Sequence, residues 1–293
     1  MKKALVGIAA IAALGLSAGS ALAADLSVPY YKAPPPPPPA WSWTGFYIGG
    51  DVGGRWSDPT WDTTCLEPGF AGSSCPNQTA APVDAARFFN NNPANFNSTS
   101  GRIGVYAGYN WQVSPIWVVG FEGDIAWANN SNTIAGIPGA EQLSTVVAGA
   151  PGLDSANVKQ TWDGSLRGRL GFLVTPTVMV YGTGGAAFTH ASASATCGSA
   201  YPIGWCTTPS NIGATSTISS DRVGWTAGGG IEAHVWGNWL ARAEWRYSDY
   251  GTFSGTMFAA TPIDALSVST RLRTETGLVG LSYQFGGPVA ARY

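Results

Sequence analysis

Only 11% of the 293 residues are charged and 45% are hydrophobic, with 39 glycines, 13 tryptophans and a formal net charge of −2. Soluble domains carry about 25% charged residues, so this composition argues against an ordinary soluble enzyme and excludes a coiled coil or an acidic disordered chain. The charge argues against a basic nucleic-acid binder, and no nucleic acid is expected as a partner. Low charge with abundant Gly and Trp, and no long apolar run in the body of the chain, points to a protein that water does not surround on all sides.

Residues 1–23 read as a secretory signal peptide. Met1-Lys2-Lys3 is basic, Ala4–Leu16 is apolar, and small residues lead to Ala21-Leu22-Ala23, with cleavage expected after Ala23. The apolar core is shorter than the roughly 20 residues that a spanning helix needs. Residues 24–43 follow as a Pro-rich periplasmic spacer. Its six consecutive prolines, Pro34–Pro39, favour stiff polyproline II and cannot join a sheet.

From residue 44 onward the chain alternates with period two. Gly45–Trp56 sets Phe46, Ile48, Val52 and Trp56 against Tyr47, Asp51 and Arg55. Arg102–Gln112 sets Ile103, Val105, Ala107, Tyr109 and Trp111 against Arg102, Tyr106, Asn110 and Gln112. Trp117–Ala128 sets Val119, Phe121, Ile125 and Trp127 against Glu122 and Asp124. Thr161–Leu173 sets Trp162, Leu166, Leu170 and Phe172 against Asp163, Ser165, Arg167 and Arg169. Val178–Phe188 is apolar or small on both faces, and its phase stays open. Arg222–His234 sets Val223, Trp225, Ala227, Ile231 and Ala233 against Arg222, Thr226, Glu232 and His234. Trp239–Tyr250 sets Ala241, Ala243, Trp245 and Tyr247 against Arg242, Glu244, Arg246 and Ser248. The last segment ends at Phe285 with Val279, Leu281, Tyr283 and Phe285 on one face. Leu240 and Leu278 interrupt the polar faces of their strands.

These are eight strands. Val113–Ile116, Val174–Thr177 and Val235–Asn238 are tight turns, whereas residues 57–100, 129–160, 189–221 and 251–268 are long loops rich in Ser, Thr, Asn, Gly and Ala. The four cysteines fall in two of those loops. Local pairing, Cys65 with Cys75 and Cys197 with Cys206, suits an oxidising compartment. Neither spacing is that of a zinc site, and no His lies in either cluster.

A strand protein crosses a membrane only as a closed barrel, because every backbone polar group must be paired. Segments of 9–11 residues match a bilayer. Trp111, Trp117, Phe172, Trp236 and Trp239 gather near the tight turns, and Trp56, Trp127, Trp162 and Phe188 near the long loops, as two aromatic belts require. A soluble sandwich or lipocalin-like barrel would need the opposite polarity, charge outside and apolar residues inside. Few charges remain for a watery exterior. The expected fold is therefore all-β, an eight-stranded antiparallel up-and-down transmembrane β-barrel over residues 44–293, with four long extracellular loops and both termini periplasmic.

Three motifs carry a family resemblance. Trp43-Thr44-Gly45-Phe46-Tyr47-Ile48-Gly49-Gly50 resembles the first strand of small Gram-negative outer-membrane barrels of the surface-antigen (outer-membrane immunogenic protein) type. Glu244-Trp245-Arg246-Tyr247-Ser248-Asp249-Tyr250-Gly251 is similar to that family's penultimate strand, and Gly280-Leu281-Ser282-Tyr283-Gln284-Phe285 to its closing strand. The resemblance covers about Trp41 to Phe285. It implies an OmpA-like transmembrane barrel of the cell outer membrane, with outer-membrane lipid and the outer-membrane assembly machinery as partners. Such barrels usually stop at the strand-final aromatic, whereas here residues 286–293 follow, so either Phe285 or Tyr293 could carry the assembly signal. Some members are implicated in surface adhesion, immune recognition or haem binding. This chain has no His-rich or Tyr-rich haem signature, so haem is not carried over, and no other cofactor or metal is expected.

On this phase seven arginines point inward, Arg55, Arg102, Arg167, Arg169, Arg222, Arg242 and Arg246, with six carboxylates, Asp51, Glu122, Asp124, Asp163, Glu232 and Glu244. Eight strands enclose a lumen just wide enough for side chains to fill. Buried charge must pair, so a plugged lumen with a charge network is expected. The function that follows is a structural barrel displaying surface loops and contributing to envelope integrity. The alternatives are a narrow porin-like channel, and a surface adhesin or ligand-binding barrel whose loops meet an extracellular ligand or host surface. Catalysis is not expected. His190 and His234 fall at opposite ends of the barrel, and no G-x-S-x-G pattern occurs. The glycine clusters lie within strands, not between a strand and a helix as a phosphate loop would.

Overall fold

The computed structural model describes residues 41–66, 93–137, 154–198, 209–261 and 265–286. The signal peptide, most of the spacer, Cys75 and Cys206 lie outside the described residues.

The elements are β1 (Gly45–Ser57), β2 (Thr60–Leu66), β3 (Ala94–Asn95), β4 (Ser98–Gln112), β5 (Trp117–Ala135), β6 (Ser155–Thr175), β7 (Val178–Thr196), β8 (Thr215–Trp236), β9 (Trp239–Met257) and β10 (Leu266–Phe285). The order β1-β4-β5-β6-β7-β8-β9-β10 is antiparallel throughout, and β10 pairs back onto β1 from Phe46↔Phe285 to Ser57↔Thr274, closing a ring of eight strands. The hairpin turns are as short as expected. In the last, Gly237 takes a φ of +54° at the first central position between Trp236 and Trp239, where glycine avoids a Cβ clash.

The alternation resolves into an inside and an outside. Ile48, Val52, Ile103, Val105, Phe121, Leu166, Leu170, Val223 and Val279 are exposed on the outer wall. Asp51, Arg55, Arg102, Glu122, Arg167 and Glu244 are buried inside. This is the polarity of a barrel solvated by lipid. The open phase of β7 is settled: Met179, Tyr181, Thr183 and Ala187 face in, while Val180, Gly182 and Gly184 face out. Leu240 and Leu278 point inward as sequence phase indicated, and both are buried.

The strands run further than a bilayer needs, and much of what reads as loop is strand. Above the outer aromatic belt the ring opens into two sheets. β5, β6, β7 and β8 continue pairing up to Ala135↔Ser155, Ser155↔Thr196 and Thr196↔Thr215. β9 and β10 continue to Met257↔Leu266, and β10 adds β2, which adds β3. Among the described residues the β8–β9 ladder goes no higher than Trp225↔Asp249, and the β4–β5 ladder no higher than Arg102↔Ala128. The two sheets enclose an apolar core of Trp61, Phe96, Val158, Phe253, Met257, Leu266 and Leu272, with Ala191, Ala193 and Ala195 from β7. Such face-to-face packing is that of a small sandwich.

Trp43, placed at the end of the spacer by sequence, is fully buried in the mouth of the barrel beside the tight turns, against Val118, Leu173, Met179 and Leu240. The indole is apolar enough to fill the tapering end of the lumen, and its N–H donates to the Pro176 carbonyl at 3.0 Å.

Candidate functional site

The lumen at membrane level is filled by charge. Strand alternation puts one side chain from every second residue into a narrow bore, and the inward positions of β1, β4, β5, β6, β8 and β9 carry the ionisable residues. Arg55 reaches Asp163 at 2.7 Å and donates from Nε to Asn130 at 2.7 Å and from Nη2 to the Ala128 and Gln160 carbonyls. Arg102 bridges three acids: Asp51 at 2.5 Å, Asp124 at 2.9 Å and Asp163 at 3.1 Å. Arg167 joins Glu122 at 2.5 Å to Glu244 at 2.6 Å. Arg242 meets Glu122 at 2.6 Å and Asp51 at 3.5 Å, and Arg246 meets Asp124 and Glu244, each at 2.9 Å. Arg169 pairs with Glu232 and joins the rest through Tyr47, whose hydroxyl donates to Glu122 at 2.9 Å.

These side chains are almost completely buried, so each carries a large desolvation cost that only close, hydrogen-bonded pairing offsets. Six arginines face six carboxylates, a balance of zero. Arg222 stands apart from the network that sequence phase assigned it to. It lies above Trp225, where β8 has no ladder partner in β9, and it donates to the Thr252 carbonyl at 2.8 Å. It makes no salt bridge among the described residues.

Three of the inward tyrosines, Tyr47, Tyr106 and Tyr181, join the network. Arg169 lies over Tyr181 at 3.8 Å and Arg242 over Tyr106 at 3.3 Å. Tyr181 donates to Glu244 at 2.9 Å. Each of the three tyrosines lies over a glycine of the next strand, which has no side chain to obstruct it: Tyr47 over Gly108, Tyr106 over Gly49 and Tyr181 over Gly230. The signal was present for Tyr47 and Tyr106, which are in phase with inward charges of their own strands, but not for Tyr181, because β7 carries no inward charge to set its phase. Asn130 and Gln160 were hidden because they fall in the stretch that reads as loop.

Outside the network, Asp249 faces the outer wall and is held by Arg271 at 2.8 Å and Arg273 at 3.6 Å. His190 meets Asp221 at 2.7 Å near the long-loop end of the barrel, while His234 stacks on Trp41 at the tight-turn end, so the two do not share a site. Cys197 is buried and no cysteine among the described residues is free. Among the described residues no group of three His, Cys, Asp or Glu has a metal-holding arrangement. Two shallow grooves of about 630 and 600 Å³ lie on the lipid-facing wall, either side of a ridge at Val105.

The comparisons with known proteins agree with this architecture. The family model of the outer membrane protein beta-barrel domain matches residues 9–285. The 31 kDa outer-membrane immunogenic protein of Brucella melitensis is 31% identical over 288 residues, covering 95% of this chain and 98% of that protein. The 25 kDa outer-membrane immunogenic protein of the same organism is 31% identical over 278 residues, covering 94% and 95%. Among solved structures, Neisserial surface protein A is 14% identical with a TM-score of 0.38, covering 83% of this chain and 98% of that one. On its family match and its Brucella relatives, this chain belongs to the outer membrane protein beta-barrel family and resides in the outer membrane.

Proposed function

We propose that this protein is a structural outer-membrane barrel, closed by its arginine–carboxylate network, that displays an extracellular head and contributes to envelope integrity and surface interaction. The observation that carries the reading is the six-against-six balance of buried, mutually paired charges across the bore. A conducting pore needs a hydrated path lined by groups that bind an ion and release it; these groups are occupied by one another. We assign the protein no catalytic role.

The reading includes the segments outside the described residues. Residues 1–23 direct export and are removed, the Pro-rich stretch is a periplasmic spacer, and Cys65–Cys75 and Cys197–Cys206 are disulfides. The outer-membrane assembly machinery inserts the barrel. By likeness to the Brucella proteins named as immunogenic, the extracellular part is exposed to the surroundings as a surface antigen.

The test is single-channel recording. The mature protein is refolded, shown to be heat-modifiable on a gel, and inserted into a planar bilayer. The expected result is electrical silence. Steady unitary conductance that scales with salt would overturn the closed reading and assign the narrow channel instead.

A further inference from the structure

We propose that Trp41–Thr44 is a removable stopper, closing a hydrated polar chamber on the periplasmic side of the charge network. The inference rests on the closed-lumen reading, since it needs the network to bar the other route.

Trp41–Thr44 lies outside the strand ladders, which begin at Gly45. Its attachments are single hydrogen bonds that involve side chains. The Trp43 backbone N–H donates to Gln112 Oε1 at 3.1 Å, and the Gln112 N–H to Thr44 Oγ1 at 2.9 Å. Gln284 Nε2 donates to the Ser42 and Thr44 carbonyls, each at 3.0 Å. Trp41 stacks on the His234 ring at a centroid distance of 3.9 Å. Of this segment, Trp43 is the residue that is fully buried in the mouth, packed with Val118, Leu173, Met179 and Leu240, with Trp41 against that cluster. The segment can leave without breaking any rung of the barrel, whereas β1 itself is paired on both sides.

Directly inside the Trp43 layer lies a set of buried polar atoms with no hydrogen-bond partner among the described residues: both amide atoms of Asn110, Oε1 of Gln284, Oε1 of Glu232 and Nε of Arg169. They belong to one layer. Asn110 faces Gly120 on β5, and Gly120 faces Arg169 on β6; the Asn110 amide lies over Gly120, where no side chain stands between it and the Arg169 position. Gln284 lies over Gly45, which is opposite Asn110 on the other side. Arg169 holds Glu232 by its other oxygen. Buried polar groups in native proteins are nearly all satisfied, and a mixed set of donors and acceptors at one level is what ordered water satisfies. That water exchanges past the stopper, because the network above leaves it no other exit.

Two measurements test this. In the otherwise unaltered chain, Asn110→Cys is treated with a membrane-impermeant maleimide in detergent, with and without Trp43→Ala; Thr189→Cys, buried beyond the network, serves as a second thiol. Asn110→Cys should label at least about tenfold faster when Trp43 is removed, and Thr189→Cys should stay unlabelled in both backgrounds. Equal labelling of Asn110→Cys in folded protein with and without Trp43 overturns the stopper alone. Labelling of Thr189→Cys overturns the closed lumen. If Trp43→Ala does not fold, hydrogen exchange in the unaltered protein decides. The Trp43 indole N–H should exchange at least about tenfold faster than the Tyr47 amide, and equal rates would make the segment part of the barrel's cooperative unit, refuting the proposal.

Discussion

Arg167 is the residue on which the network turns, because it joins Glu122 at 2.5 Å to Glu244 at 2.6 Å while both acids are buried, whereas Arg242 reaches Glu122 at 2.6 Å but Glu244 only at 4.0 Å. Arg167→Ala would leave two carboxylates short of a partner in a medium that cannot solvate them. Breaking a buried ion pair from one side costs about 3–5 kcal/mol. The unfolding temperature in detergent, read from heat-modifiability, should fall well below that of the unaltered protein. Replacing Glu244 together with Arg167 by apolar residues of similar volume should recover part of the loss; a double variant no better than Arg167→Ala would count against paired charge as the stabilising feature. Gly230 answers a different need. A Cβ there would collide with the Ala243 carbonyl and lie 2.8 Å from the Tyr181 hydroxyl. Gly230→Ala must push Tyr181 away from Glu244, and overpacking of this kind costs about 1–3 kcal/mol. The same melting assay should show a lowered transition, and an unchanged one would mean that the tyrosine can move without loss.

At the scale of elements, β9 shows both what period-two reading catches and where it stops. Arg242, Glu244 and Arg246 face inward as their alternation requires, and Ser248 and Tyr250 continue that face. Beyond Gly251 the inward residues are Phe253 and Met257, so the phase has shifted by one. Gly251 takes a φ of +71° and its N–H donates to Asp249 Oδ1 at 2.9 Å, forming a bulge. The penultimate-strand motif thus has a physical content that alternation could not supply: its Asp and Gly build the bulge that re-aims the strand. Gly251→Ala places a Cβ in the left-handed region at a cost of about 1–2 kcal/mol. Its expected effect is faster amide exchange along Phe253–Met257 with little change at Arg242–Arg246. Uniform protection in both halves would show that the bulge tolerates a side chain. The hidden strand ends have a second cause. In the membrane, polar residues face in; in the head, the polarity inverts. Ala191-Ser192-Ala193-Ser194-Ala195-Thr196 alternates strictly, with alanines buried and hydroxyls outward, but small residues carry so little hydrophobic contrast that the stretch reads as loop. The ring of eight strands and twelve of its inward charges were legible because large apolar and charged residues alternate there without a break.

The whole barrel changes solvent along its axis, and its interior changes with it. The Trp43 layer fills the mouth at the tight-turn end, charge fills the bore at membrane level, and an apolar core fills the head beyond it. Inside the bilayer the ring is fully paired and cannot open without exposing backbone to hydrocarbon. Among the described residues the head has two seams without ladder bonds and depends on its core, as a soluble sandwich does. The two parts should therefore differ in stability. Phe253, buried between the sheets, provides the test. Truncating a buried Phe to Ala costs about 3–5 kcal/mol, much of the stability that a small two-sheet unit can hold. In vesicles with the head outward, Phe253→Ala should become sensitive to protease within residues 129–160 and 189–221 while the membrane ring keeps its heat-modifiable mobility. Protease resistance equal to that of the unaltered protein would mean that the ring alone holds the head together. Loss of heat-modifiability along with the head would mean that head and ring unfold as one unit, with the strands transmitting the damage through the belt into the lipid-embedded ladder.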